Sequence, residues 1–227
     1  MPTALITGAN RGIGLELARQ YAADGYKVHA CCRKPDEASD LAGLAGDVHI
    51  HALDVTDHEA VDRLAGEIDE PLDVVVANAG IYGPQGDAQV FGSLDYDGLR
   101  HTMEVNTLGA VKTIEAFAPH AKRSDAKKMA AITSEMGSIA DASGGVTAYR
   151  ASKAALNMAL AVAAPELKND GVAVGLLHPG WVQTDMGGPN ARITPEESAR
   201  NMRGQIERLQ PSDKAPFLAH DGREIPW

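Results

Sequence analysis

Two patterns in the chain have residue types and spacing that can do chemistry. The first is Thr7-Gly8-Ala9-Asn10-Arg11-Gly12-Ile13-Gly14. Glycines at these intervals allow a turn that needs positive φ, let the backbone approach a pyrophosphate, and let the next helix lie against the preceding strand. The free amides at such a helix start favour an anion. A plain strand-to-helix turn is the competing reading, weakened because the motif is the first turn of an alternating α/β chain. The second pattern is Tyr149 and Lys153, four apart on a predicted helix, so that both side chains share one face. That spacing alone is a weak signal. Its weight comes from Ser134, which closes the strand-like run Ala131-Ile132-Thr133-Ser134, and from Asn106 inside the long helical stretch before it.

The second strand bears on which dinucleotide fits. An acidic residue about 20 positions past the glycines would bind a ribose 2′-hydroxyl, whereas an Arg accommodates a 2′-phosphate. Here the strand ends Ala30-Cys31-Cys32-Arg33 with no carboxylate at its tip, and Arg11 supplies a second cation that could fork onto the phosphate. The expectation is NADP (NADPH) in preference to NAD, with NAD still possible. Against it stands a solvated pair, Arg33 and Lys34, beside Asp36 and Glu37. Asp54-Val55 and Asn78-Ala79-Gly80 follow the third and fourth strand-like runs, at carboxyl ends where doubly wound sheets bind ligands.

The elements that must position these groups are legible as alternation. Apolar runs at 4–7, 27–31, 48–52, 73–77, 129–134 and 172–177 are separated by helical patterns at 13–24, 36–45, 57–69, 97–121, 147–168 and 195–209, and a last short strand covers 217–219. This predicts an α/β fold: one doubly wound Rossmann-type domain over residues 1–227, a mainly parallel sheet of about seven strands, with helices on both faces. The stretch from Gly187, rich in Gly, Pro and Asn, reads as a loop before a helix started by Thr194, Pro195 and Glu196, so 187–210 is the expected substrate loop and lid. With 227 residues, 44% hydrophobic, there is enough chain for one large core and little for a second domain.

The formal charge of −10 argues against nucleic acid and anionic membrane as partners. The adjacent Cys31 and Cys32 point to opposite faces of a strand, which leaves neither a framework disulfide nor a thiolate cage. With no leader-like or spanning apolar run, the chain is expected in the cytoplasm. His49 and His51 would share one strand face, yet no third ligand lies near them in sequence, so no metal is expected. His178 reads as structural. Trp181, Met136, Tyr82 and Met186 flank the expected site as pocket lining or as core.

Taken in order, these residues resemble the short-chain dehydrogenase/reductase family, from Thr3 to about Met186 with a fainter echo beyond. The resemblance rests on Thr7-Gly8-x-x-x-Gly12-x-Gly14, Asn78-Ala79-Gly80, Asn106, Ser134, Tyr149-x-x-x-Lys153 and Pro179-Gly180-Trp181-Val182-Gln183-Thr184. The segments 137–141, 149–153 and 221–227 are similar to the small carbonyl-reductase-like branch that includes the sniffer and C-factor proteins. The resemblance implies hydride transfer between a nicotinamide and a carbonyl or alcohol. Tyr149 would be the acid, and in reverse the base, and an adjacent Lys153 would favour its ionised form and bond the nicotinamide ribose. Ser134 would hold the substrate oxygen, with Ser138 as the alternative. Asn106 would support the helix and a water for proton exchange, or simply be a bonded buried amide. The cofactor would lie on Gly8, Asn10, Arg11, Gly12, Ile13, Gly14, Arg33, Asp54, Val55, Asn78, Ala79, Gly80, Tyr149 and Lys153. Pro179, Gly180, Val182 and the Thr184 hydroxyl would fix the nicotinamide amide.

Ser134 and Tyr149 stand farther apart than is common in the family, and Asp141 to Gly145 is the expected insertion at the pocket rim. The Tyr149 helix is apolar nearly all round, which calls for a covering partner. The family pairs this helix with a copy in another subunit, implying a homodimer or homotetramer that an interior Pro165 would bend or shorten. A dinucleotide-binding sensor with little turnover is the alternative function, disfavoured by the complete Asn106, Ser134, Tyr149, Lys153 set. A nucleotide-fold methyltransferase leaves that set unexplained.

Overall fold

The computed structural model describes all 227 residues. Seven strands form one parallel sheet in the order β3-β2-β1-β4-β5-β6-β7, with β1 at Thr3–Thr7, β2 at Lys27–Cys32, β3 at Asp47–Ala52, β4 at Val74–Ala77, β5 at Lys128–Ile132, β6 at Ala173–His178 and β7 at Phe217–Ala219. The order reverses between β1 and β4, where Ala4 pairs with Val74 and Ile6 with Val76. In doubly wound sheets a crevice opens at the carboxyl ends beside such a reversal. The seven helices are α1 (Gly12–Ala23), α2 (Ser39–Ala42), α3 (His58–Glu67), α4 (Tyr96–Met103), α5 (Ala110–Arg123), α6 (Thr147–Asn169) and α7 (Pro195–Arg208). No helix is long and apolar enough to cross a membrane.

Side-chain alternation along the strands builds two cores. Leu5, Val75, Met129 and Leu176 face Ile114, Phe117, Leu156 and Leu160 on α5 and α6. Ala4, Ile6, Val76 and Leu177 face Leu17 and Ala18 on α1 and Met202 and Ile206 on α7. Burial on both faces explains why the central strands read as unbroken apolar runs. Cys31 and Cys32 fall one in each core, both free. Truncating the fully buried Phe117 to Ala should cost about 3–5 kcal/mol.

Three elements differ from the sequence reading. The helix expected at 36–45 is a single turn at Pro35–Glu37 followed by the four-residue α2; only Leu41 of α2 is buried, and Gly43 follows its end. The helix expected at 97–121 is α4 and α5 joined through a π turn at Glu104–Gly109. At Gly109 an added Cβ would stand 2.7 Å from Val55 Cγ2, so only glycine lets this turn lie against the exit of β3. Strand β5 stops at Ile132, and Ser134 lies beyond it as the cap of a 3-10 turn at Glu135–Gly137. The α6 helix runs unbroken through Pro165, although that residue has no N–H to donate to Ala161.

Candidate active site

A cleft of ≈ 440 Å³ lies along the carboxyl edge of the sheet, running from the glycine turn to Tyr149 and Lys153. At its first end the turn is shaped by close approach. Gly8 and Gly12 have φ of +67° and +55°. A Cβ at Gly14 would sit 2.2 Å from the Gly8 carbonyl oxygen and 2.5 Å from Asn78 Nδ2. No side chain caps α1, so its first amides face the cleft as an anion slot. Asn78 locks the turn to β4: its Nδ2 donates to the Thr7 and Gly8 carbonyls at 2.9 and 3.1 Å. The Thr7 hydroxyl in turn accepts from the Asn78 and Ala79 amides.

Beside the turn, Arg33 is exposed, lines the cleft and enters no ion pair, whereas Lys34 is taken by Glu37 at 2.8 Å. The supposed solvated pair therefore splits, leaving Arg33 as the free cation at the tip of β2. Arg11 departs from expectation: it pairs with Asp185 at 2.7 Å, across the cleft mouth, because the 182–187 turn lies directly over the glycine turn. Asp54 also lines the cleft. Burial raises its pKa, but bonds from the Thr56 amide and hydroxyl, with Arg33 and His101 nearby, outweigh this and hold it below the usual value. Val55, Ala79, Gly80, Asn10 and Ile13 complete this wall.

At the other end Tyr149 and Lys153 both reach the cleft from α6. Lys153 is buried, 4% exposed, and its Nζ donates to the Ile132 carbonyl at 2.8 Å. Burial without a carboxylate pushes its pKa down to about 8. Tyr149 is raised by burial and by Tyr82, and the Ser134 side chain acts in the opposite direction. Lys153 Nζ lies 5.8 Å from the phenol ring centroid and is not among the groups that shift it. The expectation of a phenol already lowered by its lysine is thus corrected: the ammonium is turned to the end of β5, and burial disfavours the charged form of both groups. The Tyr82 ring packs on Tyr149 with centroids 5.2 Å apart.

Asn106 and Ser134 are both buried, and the Ser134 side chain bonds Tyr149 at the cleft. The Asn106 amide donates to the Ile81 carbonyl at 2.8 Å and to the Ser152 hydroxyl at 3.0 Å, and its oxygen accepts from the Ile81 amide at 2.8 Å. Every side-chain bond is used to tie the π turn to the segment after β4 and to α6, which is the bonded-amide reading. The Ser134 hydroxyl accepts from the Met136 amide at 3.2 Å. Ser138 Oγ is buried without a partner. Pro179, Thr184 and Met186 line the cleft, and Gly180 and Val182 do not. Gly180 stands with φ +87° where a Cβ would meet Ile193 at 2.6 Å, and Val182 is buried, so both shape the turn from behind.

Only the start of α7, Pro195, touches the cleft; the rest packs beside α1 over the sheet. The expected insertion is held from two sides: Arg150 bonds the Met136 carbonyl and the Ser143 hydroxyl, and the Ala140 amide donates to the Trp227 carbonyl at 2.9 Å. His51 bonds His29 at 2.9 Å and His49 bonds Asp47 at 2.8 Å, and both rings pack against His29, with centroids 5.1 and 5.6 Å from it. Sequence reasoning missed His101, on α4 at the cleft beside Arg33 and Asp54, and Gln89. The first has no sequence signal. The second has an indirect one, since Val146 is a poor N-cap for so long a helix.

The model of the short chain dehydrogenase family matches residues 2–193. A 1-hydroxy-2-glutathionyl-2-methyl-3-butene dehydrogenase of Rhodococcus sp. strain AD45 is 39% identical, with all of both chains covered. Among solved structures, a short-chain dehydrogenase/reductase from Burkholderia multivorans with bound NADP superposes with a TM-score of 0.90 at 30% identity, covering 100% of this chain and 99% of that one. The carbonyl reductase Sniffer of D. melanogaster gives 0.89 at 31% identity, covering all of both.

Proposed function

The chain belongs to the short chain dehydrogenase family, and on that premise we propose that it is an NADPH-dependent reductase, running in reverse as an alcohol dehydrogenase, with Tyr149 as acid and base. The observation that carries this reading is the single cleft that joins the glycine turn to Tyr149 and Lys153. One relative is a dehydrogenase of a 1-hydroxy compound and one structural neighbour a carbonyl reductase, which are the two directions of one exchange.

The residues present fit the dinucleotide: the cradle at Gly8 and Gly14 has no space for a Cβ, the α1 amides are uncapped, and Arg33 is unpaired for a 2′-phosphate. When bound, the cofactor supplies the hydride. The protein's part is to place a carbonyl carbon in its path and to stabilise the oxygen. Ser134 holds that oxygen, Tyr149 donates the proton as negative charge develops, and Lys153 holds the nicotinamide ribose. Burial keeps the Tyr149 phenol protonated at neutral pH, the form that reduction needs. Pro179 and Thr184 hold the nicotinamide amide, and Asn106 braces the π turn. Residues 1–227 act as one dinucleotide-binding and catalytic domain, and the substrate cover narrows from 187–210 to the loop that ends at Pro195.

Aldehydes, ketones and alcohols assayed with NADPH, NADH and their oxidised forms, on the wild type and on Tyr149→Phe, test the reading. Turnover by the wild type and none by Tyr149→Phe is the expected result. Nucleotide binding without turnover by the wild type would mark a sensor instead. Leu108, Met158 and Val162 leave an exposed apolar surface that includes the outer face of α6, which supports a homodimer or homotetramer formed there. Light scattering on a sized sample checks this, and a strict monomer rules it out.

A further inference from the structure

Gln89 sits in an exposed, irregular stretch after β4, at the end of a 3-10 turn at Gly86–Gln89, yet its own side chain is 1% exposed. Its amide is fully used. Nε2 donates to the Tyr82 carbonyl at 3.1 Å and the Pro84 carbonyl at 2.7 Å, and Oε1 accepts from the Tyr149 amide at 3.0 Å.

The last of these bonds answers a defect in α6. A helix start leaves four amides without intrahelical partners, and a Ser, Thr, Asp or Asn at the N-cap usually serves one of them. Here the preceding residue is Val146, which offers no side-chain cap and stands at φ +44°. The left-handed region crowds the Cβ of an L-residue against the following carbonyl, most of all in a β-branched one. The first turn of the helix that carries Tyr149 is therefore neither capped nor relaxed by its own sequence. The missing acceptor comes from 60 residues away, and it meets the amide of Tyr149 itself. The same amide group ties down Tyr82, whose ring lies against the phenol.

We propose that Gln89 is the positioning residue for Tyr149, a long-range N-cap whose side-chain amide fixes the first turn of α6 and the Tyr82 segment as one body against the phenol. The proposal rests on the reading of Tyr149 as acid and base. It makes the wall of the substrate side and the proton donor move together, so that the donor is aimed only while that wall is in place.

Gln89→Met keeps the volume and removes all three bonds. In this variant kcat should fall about 10–100-fold, because a shift near 1 Å in a reacting group costs that much. KM should stay within about threefold, since a loss confined to the transition state leaves ground-state binding alone. NADPH binding, followed by its fluorescence, should match the wild type and shows that the fold is intact. Hydrogen–deuterium exchange should rise in the peptide that holds Thr147 to Arg150. Gln89→Glu keeps the acceptor for the Tyr149 amide but sets a carboxyl oxygen against the Tyr82 and Pro84 carbonyls. Protection and kcat should therefore lie between Gln89→Met and the wild type, and approach the wild type as the pH falls and the acid form can donate to one of those carbonyls. Should Gln89→Met fail to fold, Gln89→Asn, one methylene too short to reach α6, carries the same comparison. Wild-type kcat and exchange in Gln89→Met or Gln89→Asn, with Tyr149→Phe inactive, overturns this proposal alone. Turnover retained by Tyr149→Phe overturns the catalytic reading on which it rests.

Discussion

The two ends of the cleft are built differently. At the glycine turn the contacts run between neighbouring strand ends: Asn78 to Thr7 and Gly8, and the Thr7 hydroxyl to the amides after β4. The partners are some 71 residues apart in sequence, but the parallel ladder that sets Ile6 beside Val76 has already brought them together. At Tyr149 the contacts come from outside the sheet. Gln89 reaches it from a loop, Arg150 holds the Met136 segment, Trp227 holds Ala140, and Asn106 binds Ile81 from a π turn. A nucleotide presents the same phosphates to every relative, so its seat can be rigid and backbone-made. The end proposed to meet substrate hangs on single side-chain bonds, each of which can change without disturbing the sheet.

If this division holds, substitutions at the two ends should separate chemistry from nucleotide affinity. Tyr149→Phe should have the largest effect, a loss of about 10²–10⁴ in kcat with NADPH affinity unchanged; a matching loss of affinity would break the division. Gly14→Ala is the converse. Its Cβ meets the Gly8 carbonyl, so the turn must open at a cost of about 1–3 kcal/mol, and NADPH titration should show tenfold weakening or more. Arg33→Asp should weaken NADPH about 10–100-fold and NADH far less, the value of a charge-assisted bond to the 2′-phosphate. Equal effects on both nucleotides would remove Arg33 from that role.

Lys153→Met should have a smaller effect on stability than on rate, and of opposite sign. The wild type buries an ammonium whose folded pKa, about 8, lies below its ordinary 10.5. Below pH 8 the charge is present in both states and the full burial penalty applies, so the nucleotide-free variant should be about 1–3 kcal/mol more stable there. As pH rises from about 8 to 10.5 the folded lysine loses its proton first, the wild type gains, and the difference should shrink. Denaturant titrations of both proteins across this range measure it. An advantage that does not depend on pH would mean that Lys153 is not held as a buried cation.

Legibility followed the same division. The glycine turn, Asn78-Ala79-Gly80 and the tip of β2 were readable because tight turns and strand ends impose local demands on residue type. Tyr149 and Lys153 were readable as one helix face. The state of those residues was not. The placing of Arg11 against Asp185, and of Lys153 against the Ile132 carbonyl, depends on which loop lies over which strand end. Asn106 was visible as a residue, but its three bonds were not, since they follow from a π turn that no periodicity announces. Only the mismatch at Val146 hinted that a cap was owed from elsewhere.

Alternating apolar runs and helical periods determined by themselves that this is a doubly wound parallel sheet, because a strand buried on both faces and an amphipathic crossover admit few other arrangements. The glycine spacing marked the first turn as the candidate nucleotide seat, and the four-residue spacing of Tyr149 and Lys153 put a phenol and an ammonium on one helix face. Which cation stays free, how Asn106 is bonded, and what holds Tyr149 in place were decided by tertiary structure alone. Those features depend on single hydrogen bonds between segments 25 to 174 residues apart, whose distance in space is set by packing and leaves no local trace in the chain.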